Sequence, residues 1–206
     1  MSWLLGIVSS GCARRQAEPD GSCLVQLENE IAQVRDEVLC RIGPSPHYVT
    51  NICRRIAGVA DFQTRSRLFN QLQDAAFSVD LSQLGDVRVG DEAARDKTVW
   101  RLGRAYNFLD NLAHEITMSR MFSGDPPREQ FEPLFRCYLK MREESRRRGR
   151  PVGGCPEKII VIENMYEISL KMRMYATNDY AWVRERFREL SGHEMRTYEQ
   201  RCAEGR

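Results

Sequence analysis

The residues of this chain that could do chemistry are few and scattered. Its three histidines, His47, His114 and His193, lie far apart, each alone on a helix or loop. His114 has Glu115 beside it, a pair that could move a proton. A lone histidine in a charged setting more commonly solvates or caps a helix. There is no GxSxG, no HExxH and no phosphate-binding glycine loop, so the chain reads as a non-enzyme with no cofactor. The seven cysteines, Cys12, Cys23, Cys40, Cys53, Cys137, Cys155 and Cys202, are odd in number and never form a CxxC pair, which argues against a metal site. Several fall at apolar helical positions, where free cysteine behaves as a small hydrophobe, and this usage fits a reducing, intracellular setting.

Two arginine features remain. Arg146, Arg147, Arg148 and Arg150 form a basic run that could grip phosphate backbones. Positive charge at a helix C-terminus also complements the helix dipole, and no aromatic residues interleave there to stack bases. The formal charge of +2, from 31 basic and 29 acidic residues, lacks the basic excess of a nucleic-acid-coating protein. Nucleic acid is therefore not favoured as a partner, and a basic helical nucleic-acid-binding or virion-associated structural protein is kept as the alternative function. The second feature is the step Gly103, Arg104, read as the opening of the helix in residues 98–118. Glycine there costs the helix roughly 1 kcal/mol against alanine, and is tolerated most readily where another backbone approaches closely.

These residues must be held by helices. At 206 residues, 42% of them hydrophobic, the chain is long enough for one domain with a real core. Residues 1–21 read as a flexible lead, with an apolar run at Trp3 to Val8 too short to span a bilayer. Residues 22–199 read as a single helical domain and 200–206 as a tail. Apolar residues recur at helical spacing in residues 22–42 (Leu24, Leu27, Ile31, Val34, Val38), 47–64 (Val49, Ile52, Ile56, Val59) and 65–79 (Leu68, Phe69, Leu72, Ala76). They do so again in 98–122, 129–146, 156–172 and 180–198. Gly85 and Gly90 interrupt the stretch 80–97, where a short helix at 91–96 is expected, and residues 123–128 are a break. The pattern predicts an all-α bundle of about eight helices, without repeats and without a transmembrane helix.

The order of these segments resembles the Bcl-2 family of apoptosis regulators, in a divergent form such as viruses carry. Arg101, Leu102, Gly103 and Arg104 stand where the family's first homology motif opens its central hydrophobic helix, keeping Gly-Arg and losing Asn-Trp. Upstream, Ile52, Ile56, Val59, Ala60 and Asp61 resemble the third homology motif; an alternative register uses Val49, Cys53 and Ile56 and puts Gly58 at the aspartate position. The interval from Phe69 to Leu102 is similar to that between the family's groove phenylalanine and tryptophan. Glu132, Pro133 and Leu134 resemble the opening of the sixth family helix, and Gly153, Gly154 and Cys155 the Gly-Gly-Trp of the second motif. The family's C-terminal membrane anchor is replaced here by the charged segment 180–198.

The resemblance implies a Bcl-2-like bundle around a central hydrophobic helix, and an inhibitor of apoptosis that sequesters pro-apoptotic relatives. A partner's amphipathic death-motif helix would lie in a surface groove. Leu68, Phe69, Leu72 and Phe108 would form the groove floor, and Arg104 would pair with the ligand's aspartate. Asn107 would add a polar contact, and Gly103 would admit the ligand backbone. Such a protein would be cytoplasmic or peripheral at mitochondria. A homodimer whose partner occupies the groove, with Trp3, Leu4 or Trp182 at the interface, is the competing arrangement.

Overall fold

The computed structural model describes residues 21–40, 46–84, 92–148, 155–172 and 175–204. Among these residues the chain is all-helical, with eight α-helices, two short 3₁₀ turns and no strand. The helices are α1 (Gly21–Cys40), α2 (Pro46–Ala57), α3 (Phe62–Phe77), α4 (Glu92–Phe122), α5 (Pro127–Arg147), α6 (Cys155–Met172), α7 (Ala181–Ser191) and α8 (Tyr198–Glu204). None of them is long and apolar enough to cross a membrane.

The core is organised on the α4–α5 hairpin, the most extensive helix pair. Along α4, Leu102, Ala105, Tyr106, Leu109, Leu112, Ala113 and Ile116 are buried, at the three- and four-residue spacing that keeps one helix face inward. α5 answers with Phe131, Leu134, Phe135, Tyr138 and Met141. α3 packs against both hairpin helices; its Asp74 accepts a hydrogen bond from Arg136 of α5 at 2.7 Å. α1 lies across α2 and α3, pinned by Arg55 to Glu30 at 2.5 Å and by Arg67 to Glu28 at 2.6 Å. On the far side of α5, edge-to-face ring contacts join Phe131 to Tyr166 and Tyr180, and Phe135 to Trp182. Those contacts hold α6 and α7 against the hairpin.

Three helix boundaries differ from the periodicity reading, each for a local reason. α4 is one helix of 31 residues that starts at Glu92, so Gly103 and Arg104 lie in its middle rather than at its opening. The glycine penalty of roughly 1 kcal/mol does not break a helix whose neighbours along the inner face are all buried. α2 stops at Ala57, before Gly58, instead of running to residue 64. Asp61 then caps α3, its carboxylate accepting from the Thr64 N–H at 2.7 Å. The last expected helix, 180–198, is cut at Ser191 because Gly192 takes the left-handed conformation (φ +79°) and its N–H closes on the Arg188 carbonyl at 2.9 Å. The chain then forms α8, so the tail expected from residue 200 is helical through Glu204. The lead 1–20 with Trp3 and Leu4, the Gly85 and Gly90 stretch, Arg150, and Gly153 with Gly154 lie outside the described residues.

Candidate functional site

The residues singled out by their sequence separate into two groups. Gly103, Arg104 and Asn107 are exposed, and Asn111 and His114 continue the same outward row along α4. Among the described residues, a Cβ built on Gly103 would meet nothing within 4 Å, so none of them explains the glycine by close approach. The row is an exposed polar strip in the middle of the longest described helix.

Leu68, Phe69 and Leu72 are the second group, each with 0% exposure, and Phe108 is buried with them. They belong to the core cluster and present no apolar floor at the surface in this conformation. The helical period accounts for this: residues 68, 69, 72 and 76 form the inward stripe of α3. Its outward face carries Phe62, Gln63, Ser66, Arg67, Asn70 and Gln71 instead, bordering a shallow depression of about 520 Å³.

The segment that resembles a death motif is engaged inside the protein's own fold. Ile52, Ile56 and Val59 are buried in the core, α2 packs along α4, and Asp61 is held by its cap bond to Thr64. That cap bond holds the Asp61 carboxyl below its ordinary pKa. Cys53, in the alternative register, is buried, and burial with the nearby Glu115 carboxylate pushes its thiol far above the usual range. A thiol in that state is a packing group, not a nucleophile.

A charged cluster that periodicity did not reveal lies at the α4–α5 turn. Arg120 and Asp125 are both fully buried, with Arg120 Nη1 donating to Asp125 Oδ2 at 3.2 Å. Arg65 of α3 donates to the other carboxylate oxygen at 3.3 Å and to the carbonyls of Val59 at 3.2 Å and Ser123 at 3.3 Å. Arg120 also donates to Asn70 at 2.6 Å and stands 5.0 Å over the Phe69 ring. The Asp125 carbonyl accepts from Gln130 at 2.5 Å and from Tyr175 at 2.6 Å. Burial works to lower the Arg120 pKa, and Asp125 is the strongest influence opposing it. The cluster ties α3, both hairpin helices and the segment after α6 to one turn. Its sequence signal is phase: Arg120 continues the buried row of Ala113, Ile116 and Thr117.

Arg147 and Arg148 both pair with Glu144, at 2.6 Å and 2.5 Å, while Arg146 is exposed. Trp182 is half-buried beside a cleft of about 290 Å³ shared with Arg128, Glu132, Glu185, Arg186 and Glu189, and Arg128 stands 5.2 Å over its ring. His114 is exposed; His193 lies edge-on to Phe187 with Nδ1 2.8 Å from the Glu194 carbonyl. Among the described residues no three His, Cys, Asp or Glu side chains converge as a metal-binding group. Comparison with family models, curated proteins and solved structures finds no match for this chain.

Proposed function

We propose that this protein captures an amphipathic helix of a partner and acts as an inhibitor of apoptosis, sequestering pro-death relatives in the manner of prosurvival Bcl-2 proteins. The exposed row Gly103, Arg104, Asn107 in mid-α4 carries the reading: it offers a cation and an amide beside an open backbone position. A charged aspartate on a ligand helix would form charge-assisted hydrogen bonds with Arg104, the kind of pair that dominates binding when partly desolvated. The commitment of Ile52, Ile56, Val59 and Asp61 to the protein's own core and cap favours the role of receptor over that of ligand. Contact of a ligand with Leu68, Phe69, Leu72 and Phe108 requires the segments that cover them to move aside.

The direction of the effect is tested by expressing the protein in cells given a death stimulus. Survival should rise, and rise less with Arg104→Ala; increased killing would reverse the assignment. At the site itself, Arg104→Ala should weaken a bound death-motif peptide by about 1–3 kcal/mol. The same substitution should have a smaller effect on a peptide whose aspartate is already asparagine, which keeps an acceptor but not the charge.

A further inference from the structure

The chain beyond α7 is attached to the bundle in an unusual way. After Gly192 it turns back over α6, where the side chain of Glu163 is fully buried. Arg196 supplies three hydrogen bonds to that carboxylate, from its backbone N at 2.9 Å, Nε at 3.1 Å and Nη2 at 3.3 Å. Arg201 Nη1 stands 3.5 Å from the second carboxylate oxygen and donates to the Arg196 carbonyl at 2.5 Å. Further contacts run from Arg201 to Asn164 and from the Tyr198 N–H to Glu167 at 3.2 Å.

Apolar burial contributes little to this attachment. α8 has no buried residue, Tyr198 is exposed, and the apolar anchors are the partly buried Met195 and the ring of His193 against Phe187. Among the described residues, both cations that pair with Glu163 come from this one segment.

We infer that residues 193–204 form a releasable strap, latched to α6 through the Glu163 carboxylate. A buried carboxylate is tolerated only while it is paired or hydrated. The strap supplies the pairing when it is down, and its departure lets water reach the same oxygens, so both states satisfy the charge. The sealed Arg120–Asp125 pair has no such second state. Release also frees Asn164, which Arg201 holds on the outer row of α6 between the already exposed Ile160 and Ile168. The hinge is Gly192, whose positive φ ends α7.

The test uses the full chain and Glu163→Gln, which keeps the shape and removes the charge. Backbone order parameters for residues 195–203 should fall from rigid values near ~0.85 to below ~0.6, while those of α4 and α5 hold. Arg196→Gln with Arg201→Gln should release the strap equally. In the unsubstituted protein the amides of Arg196 and Tyr198 should exchange with solvent at least about tenfold faster than core amides of α4, because local opening precedes global unfolding. An ordered strap in Glu163→Gln, or strap amides that exchange only together with the core, would overturn the proposal.

Discussion

Replacing Asp125 by asparagine is expected to damage the fold more than any substitution on its surface. The carboxylate is 0% exposed and receives Arg120 at 3.2 Å on one oxygen and Arg65 at 3.3 Å on the other. Asparagine keeps the volume and one acceptor but withdraws the only negative charge of the described cluster that bonds both guanidinium groups. Arg65 is about one-eighth exposed and retains the carbonyls of Val59 and Ser123, so it loses least. Arg120 is fully enclosed and keeps Asn70, the Phe69 ring and the more distant charge of Glu129, with no carboxylate bonded to it among the described residues. Stranding one partner of a buried pair costs about 3–5 kcal/mol, against a total stability of about 5–15 kcal/mol for a typical domain. At about 2–4 °C per kcal/mol for a chain of this size, the melting temperature should drop by about 6–20 °C. Urea unfolding followed by circular dichroism should show a lower midpoint with an unchanged slope. Arg120→Met combined with Asp125→Asn should recover much of the loss, because most of it is the unpaired guanidinium. A loss below about 1 kcal/mol, the value of an exposed pair, would refute the claim that this pair is sealed from water.

Other substitutions separate core from surface. Leu72→Ala, at a fully buried position, should cost about 2–5 kcal/mol in the same urea assay. Arg104→Ala, on the exposed row, should change stability by less than about 0.5 kcal/mol, so that any loss of binding is a surface effect. Burial pushes the Glu144 carboxyl up, but the hydrogen bonds from Arg147 and Arg148 together outweigh it and leave its pKa below the ordinary 4.5. A depressed carboxyl stabilises the fold above its unfolded pKa and loses that contribution as pH falls through the folded value. Stability measured downward from pH 5 should therefore fall less steeply in Glu144→Gln than in the unsubstituted chain.

Much of the helical content was legible because apolar residues set the period directly. The rows Leu27, Ile31, Val34 and Phe131, Leu134, Phe135 and Ile159, Ile162, Met165 are all buried where their spacing places them. Boundaries were legible only where a breaker acted. The pair Gly58 and Asp61 went unread because an apolar residue, Val59, sits between them and continues the pattern. Gly103 misled in the opposite direction, since a single exposed glycine is a small penalty against a long buried face. The two charge clusters were not legible by pattern. Arg120 and Glu163 both lie in phase with buried apolar rows, but much of what satisfies them comes from residues remote in sequence: Asn70 bonds Arg120, Arg65 shares its Asp125 carboxylate, and Arg196 bonds Glu163. At the candidate site, periodicity placed Leu68, Phe69 and Leu72 on one face of α3 but did not distinguish a groove floor from a sealed core.

The claim that this chain binds a partner helix is tested most directly by calorimetric titration of a broad panel of death-motif peptides into the purified protein. At least one peptide should bind with one-to-one stoichiometry, and its affinity should fall by about tenfold or more with Arg104→Ala, the equivalent of about 1.4 kcal/mol. Heats of dilution alone across the whole panel would contradict the account.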